Sequence, residues 1–103
     1  MIHSPERVKA IRDRVAADLE AVTCFEAQTK DPGFRQRLQL IRHHLDDIEL
    51  FFLATSARES RTFEQEAQWL AQAEKVLNVY VAPQIKDAQD DFARFGPSVT
   101  SRG

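Results

Sequence analysis

Hydrophobic positions recur every three or four residues along three stretches of the chain, and this period predicts helices, not strands. In the first stretch Val8, Ile11, Val15, Val22 and Phe25, with Leu19 beside them, share one face. Ser4-Pro5-Glu6 supplies a start: an N-cap serine, a proline at the first helical position and an acid at the positive end of the dipole. This helix is expected over about 5–30. At Asp31-Pro32-Gly33 the proline disfavours helical geometry in the residue before it, and Asp31 then caps a second helix expected over 32–56. Its apolar positions Phe34, Leu38, Ile41, Leu45, Ile48 and Phe52 keep a 4-3-4-3-4 spacing, the seam of a helix packed lengthwise on a neighbour.

A lapse into small and polar residues from Thr55 to Arg61 separates the second helix from the third. Thr62-Phe63-Glu64-Gln65 fits a capping box, and the helix it opens is expected over 63–95. Phe63, Ala67, Leu70, Leu77, Val81, Ile85, Ala88, Phe92 and Phe95 mark its apolar face. Pro83 lies within it and is expected to kink the helix or, failing that, split it. Gly96-Pro97 is a stop signal, and residues 98–103 read as a flexible tail. The pattern therefore predicts an all-α fold, an antiparallel three-helix bundle formed by residues 1–97, with four helices if Pro83 splits the last. At 1.5 Å per residue the third helix, ~50 Å, outruns the first at ~39 Å, so it must bend back or pack against another copy.

Composition changes this picture little. With 103 residues there is room for one domain, and three Gly and four Pro are too few for a turn-rich β fold. A net charge of −2 gives no electrostatic reason to expect nucleic acid or an anionic membrane as partner. No apolar run approaches a membrane span, and no leader is visible at the N-terminus, so a cytoplasmic location is the default expectation. A single cysteine excludes an internal disulfide.

Candidate chemistry lies in two places. The end of helix two is apolar all round, since Leu50, Phe51 and Leu53 add to the seam; helix three is broadened in the same way by Trp69, Val76 and Tyr80, with Ala73 beside them. These six large residues are the candidate interaction surface, either for another protein or for a second copy, and Trp and Tyr are residue types enriched at binding hot spots. The second place is Arg42-His43-His44-Leu45-Asp46-Asp47. Helical spacing brings His43 toward Asp46 and Asp47, and His44 toward Asp47, so these four side chains could ligate a metal. Two ligands from one helix make an incomplete set, the remaining histidine is His3, and neither Glu-x-x-His nor His-Glu-x-x-His occurs.

Two further patterns bear on self-association. Arg35, Arg37 and Arg42 precede Asp46, Asp47 and Glu49 on helix two, so two antiparallel copies of that helix could pair opposite charges. Ala10, Ala17, Ala21 and Cys24 form a strip of small residues along helix one that would let another helix approach. Phosphate-binding loops and nucleophile elbows are absent from the sequence. The expectation is a small non-enzymatic interaction module, self-associating, with no cofactor. The alternatives are a metal- or ligand-binding helical protein using His43, His44, Asp46 and Asp47, and a nucleic-acid-binding regulator.

Overall fold

The computed structural model describes residues 5–54 and 59–96, and for Phe95 the backbone alone. The expectations for His3, Ser4, Pro97, the Phe95 side chain, the end of helix two beyond Ala54 and the 98–103 tail lie outside these residues. The described chain is all-α, without a strand, and comprises three helices. The first is α1, Pro5–Gln28; the second is α2, Pro32–Asp47, which continues into a π-helical segment, π1, Ile48–Leu53. The third runs without interruption through α3, Phe63–Lys75, a second π segment, π2, Val76–Val81, and α4, Ala82–Phe95.

Local chemistry accounts for the ends. The Phe34 N–H donates to Asp31 Oδ2 at 2.7 Å, with Pro32 at the start of the helix. Thr62 and Gln65 form the reciprocal capping box, Gln65 N–H to Thr62 Oγ1 at 3.2 Å and Thr62 N–H to Gln65 Oε1 at 3.0 Å. Gly96 takes φ +62°, a left-handed value that glycine adopts without strain, and its N–H donates to Phe92 O. Neither of the first two helices has a basic residue in its last turn; arginines from elsewhere in the chain cap them instead. Arg35 donates to Glu26 O at 2.6 Å and Thr29 O at 3.0 Å, just past α1. Arg12 donates to Leu53 O at 3.1 Å, and Arg61 to Phe52 O at 3.2 Å and to Phe51 O, so two arginines close three successive carbonyls at the end of π1.

The three helices share one core. Val8, Ile11, Val15 and Val22 meet Phe34, Leu38, Ile41, Leu45 and Ile48, and both sets meet Leu70, Leu77, Val81, Ile85 and Ala88. Cross-helix pairs run along its length: Arg12 with Leu53 and Arg42 with Glu26 between the first two helices, Arg37 with Asp91 and Phe52 with Trp69 between the second and third. Arg7–Glu74 at 2.5 Å and Phe25–Phe92 at 5.3 Å tie the first helix to the third. The molecule is a rod of 49 × 21 × 19 Å with a radius of gyration of 15.5 Å, against roughly 13 Å for a compact domain of this length.

The π segments correct one expectation and account for another. In an α-helix Ile48 is followed on the core face by Phe52, four residues on. The i→i+5 register of π1 fits one more residue into the turn, so Leu53 enters the core at 1% exposure and Phe52 is left half-buried. Leu53 is therefore a core residue and not part of an interaction surface. In the third helix the buried positions Leu77, Val81 and Ile85 are spaced by four and four, a drift that an α-helix would turn out of the core and that π2 absorbs. The Ala82 N–H donates to Leu77 O, five residues back, so the register is already widened where Pro83 begins. The proline consequently does not split the helix. At its start, Glu66 and Ala73 occupy the buried face, whereas Phe63 is exposed.

Candidate functional site

The two π segments place the apolar surplus of the second and third helices on either side of one cleft. A cavity of about 390 Å³ opens there, lined by His44, Asp47, Ile48, Phe51, Phe52, Trp69 and Val76. Phe52 meets Trp69 edge-on, with ring centroids 5.7 Å apart and planes at 81°. Further along the cleft His44 stacks on Tyr80 at 5.9 Å and 16°. One helical turn before His44, Leu40 is exposed and prolongs the apolar strip of the helix-two wall. Arg61 lies over the indole of Trp69, its guanidinium carbon 4.1 Å from the ring centroid.

Of the six candidate surface residues, Phe51, Trp69 and Val76 line this cavity and Tyr80 borders it through His44. Phe51, Trp69 and Tyr80 stay 52%, 41% and 47% exposed, an unusual amount of aromatic surface for a chain this small. Leu50 points elsewhere. It is exposed on the opposite flank, where a second cavity of about 500 Å³ is lined by Arg12, Asp46, Glu49, Leu50, Leu53 and Ala54. The flank that carries His44 between Leu40 and Phe51 was legible in the sequence, but the imidazole stack on Tyr80 was not. The only available signal was that Leu40, His44, Asp47 and Phe51 recur at steps of four, three and four.

The metal candidates do not converge. His44 and Asp47 belong to the aromatic cleft, while His43 and Asp46 face a shallow depression with Gln39 and Arg42 on another side of the helix. Among the described residues no three His, Cys, Asp or Glu side chains come together. The proposed charge pairing between two copies of helix two also lacks its positive half. Arg42 is paired with Glu26, Arg37 with the buried Asp91 at 3.1 Å, and Arg35 is engaged with the carbonyls that end α1. The small-residue strip of α1 faces solvent: Ala10, Ala17 and Cys24 are exposed, so no helix among the described residues packs on it.

Electrostatics at the cleft are sparse. Asp47 on the helix-two wall makes no ion pair among the described residues, and neither does Lys75, which immediately precedes Val76 on the facing helix and is exposed. Away from it, the Arg7 guanidinium holds the Glu74 carboxyl below the usual carboxylate range, chiefly by their hydrogen bond, against a weaker desolvation effect. Burial pushes the Asp18 carboxyl up, partly offset by Arg14. None of these groups lines the cleft, and among the described residues no nucleophile, base and orienting partner come together there. No helix among the described residues is long and apolar enough to cross a membrane. No protein-family model matches the chain, and neither curated proteins nor solved structures provide a significant relative.

Proposed function

We propose that this chain is a non-enzymatic helical interaction module, an antiparallel three-helix bundle that docks helix surface into the cleft between its second and third helices. The occupant we assign is a second copy of the same chain. The observation that carries the reading is the aromatic cleft itself: Phe51, Trp69, Val76 and Tyr80 form one apolar strip that no other part of the described chain covers. The bundle arrangement is supported by the cross-helix pairs, which run in opposite senses between consecutive helices: Arg12–Leu53 precedes Glu26–Arg42, and Phe52–Trp69 opposes Arg37–Asp91.

Size and charge favour a second copy. One long face of a rod 49 Å by 21 Å covers roughly 1,000 Å², enough for the ~800 Å² per partner that a stable interface needs. α1 offers no exposed large apolar side chain, so the cleft of one copy is best covered by the cleft of the other. A two-fold axis along the rod sets each helix-two wall against a helix-three wall. Asp47 then faces the partner's Lys75, and the aromatic strips meet. Light scattering over a dilution series tests this. The expected result is a dimer that dissociates on dilution, while Phe51→Asp gives a monomer of unchanged helicity. A wild-type chain that stays monomeric at millimolar concentration overturns the reading.

A further inference from the structure

The cleft has a latch that neither its apolar lining nor the interaction reading requires. Arg61 precedes the capping box of α3 and reaches both walls. Its guanidinium donates to the Phe51 and Phe52 carbonyls at the end of π1, and its central carbon lies over the Trp69 ring, 4.1 Å from the centroid. One side chain thus joins the backbone that carries Phe51 and Phe52 to the indole that faces them. Phe52 in turn meets the same indole at 81°, so Trp69 contacts both a cation and an aromatic ring. A guanidinium is the only side-chain group that can do both tasks at once, because it is planar enough to stack and forked enough to reach two carbonyls.

We infer that Arg61 is a positioning residue for the cleft: it sets the separation of the two walls and the orientation of Trp69, so the docking surface is complete only while this latch is closed. The physical case is the state of the backbone beneath it. The last carbonyls of a helix have no donors within the helix, and the i→i+5 bonding of a π turn leaves one more of them without a partner than an α turn does. Arg12 closes the Leu53 carbonyl from the far side, but nothing described other than Arg61 serves Phe51 and Phe52 together. With Arg61 removed, water can take those carbonyls and the core can survive. The segment bearing Phe51 and Phe52 then loses its tie to Trp69. Docking is affected more than folding.

This inference rests on the self-docking reading for its consequence but not for its geometry, and the experiment separates the two. The chain contains one tryptophan, so intrinsic fluorescence reports Trp69 alone. Arg61→Ala and Arg61→Lys are compared with wild type for Trp69 emission, acrylamide quenching, far-ultraviolet circular dichroism and dimer dissociation. Both variants are expected to keep their helix content, shift Trp69 emission to the red and raise its quenching, and weaken dimerisation by roughly tenfold or more. The lysine variant should resemble the alanine one, since an ammonium cannot both stack and fork. Wild-type emission in Arg61→Ala, or in Arg61→Lys, overturns the latch; so does a red shift with dimerisation unchanged. If the wild type itself does not dimerise, the docking reading fails and the fluorescence pair still decides whether Arg61 holds Trp69.

Discussion

Phe52 and Leu53 are neighbours of similar hydrophobicity, yet one forms the wall of a cleft and the other fills the core. The exchange follows from a single extra residue per turn, and its energetic consequence is large. Leu53 is essentially inaccessible, so Leu53→Ala removes buried methyl groups and leaves a cavity, with an expected loss of about 2–5 kcal/mol in urea unfolding. Phe51→Ala, on an exposed residue of the same segment, should stay within ~0.5 kcal/mol for the monomer. Equal losses for the two would place π1 in the wrong register. A gentler effect is expected at the Arg7–Glu74 pair, where both side chains are about a third exposed at 30% and 35%. The folded Glu74 carboxyl lies below its ordinary value of 4.5, so its contribution is present above that value and is lost as pH falls through the lower folded one. Solvent screening keeps it small, ~0.5 kcal/mol. Glu74→Gln should therefore melt slightly below wild type at pH 7 and together with it near pH 2, as thermal scans at the two pH values can show.

Three helices, the N-caps of the second and third and most of the core were legible because each rests on local chemistry: Asp31 and Thr62 as caps, Gly96 as a stop, and apolar residues at steps of three and four. What escaped was the phase of those steps after Ile48. An apolar run such as Ile48-Glu49-Leu50-Phe51-Phe52-Leu53 satisfies an α register through Phe52 and a π register through Leu53, and only packing against the other helices chooses between them. The arginine caps escaped for a related reason, since Arg12 and Arg61 reach the end of π1 from 41 and 9 residues away. Asp91 was hidden likewise: its burial is compensated by Arg37, which arrives from the second helix. Deleting Glu49, which is exposed within π1, removes the extra residue and leaves Leu53 four positions after Ile48. The helix should then be α throughout with its core intact, and stability within about 2 kcal/mol of wild type. Phe51 and Phe52 rotate relative to Trp69, so the near-ultraviolet signal changes and dimerisation is lost. A deletion variant that unfolds would show that π1 is required by the core and not merely tolerated by it.

For the molecule as a whole, the two walls of the cleft are chemically unlike, and this asymmetry makes the mode of assembly testable without a further structure. Two arrangements would cover both aromatic strips. With the two-fold axis across the rod, helix two lies against its own copy and Asp47 comes near the partner's Asp47. With the axis along the rod, helix two lies against helix three, and Asp47 meets the partner's Lys75. The second arrangement turns Asp47 and Lys75, neither ion-paired among the described residues, into two equivalent rim pairs, whereas the first brings like charges together within an apolar contact. Rim charges of this kind add little affinity but discriminate between registers. Asp47→Lys alone should then weaken the dimer roughly three- to tenfold by setting lysine against lysine, and Lys75→Asp alone should do the same with two acids. The double variant, Asp47→Lys with Lys75→Asp, restores the pairing in reversed sense and should recover most of the wild-type dissociation constant. Analytical ultracentrifugation of the four proteins at low salt provides the readout, and the differences should shrink at high salt. If Asp47→Lys alone leaves the dimer as tight as the wild type, one like-charge pair has only replaced another and the axis lies across the rod. If the single losses simply add in the double variant, Asp47 and Lys75 do not meet.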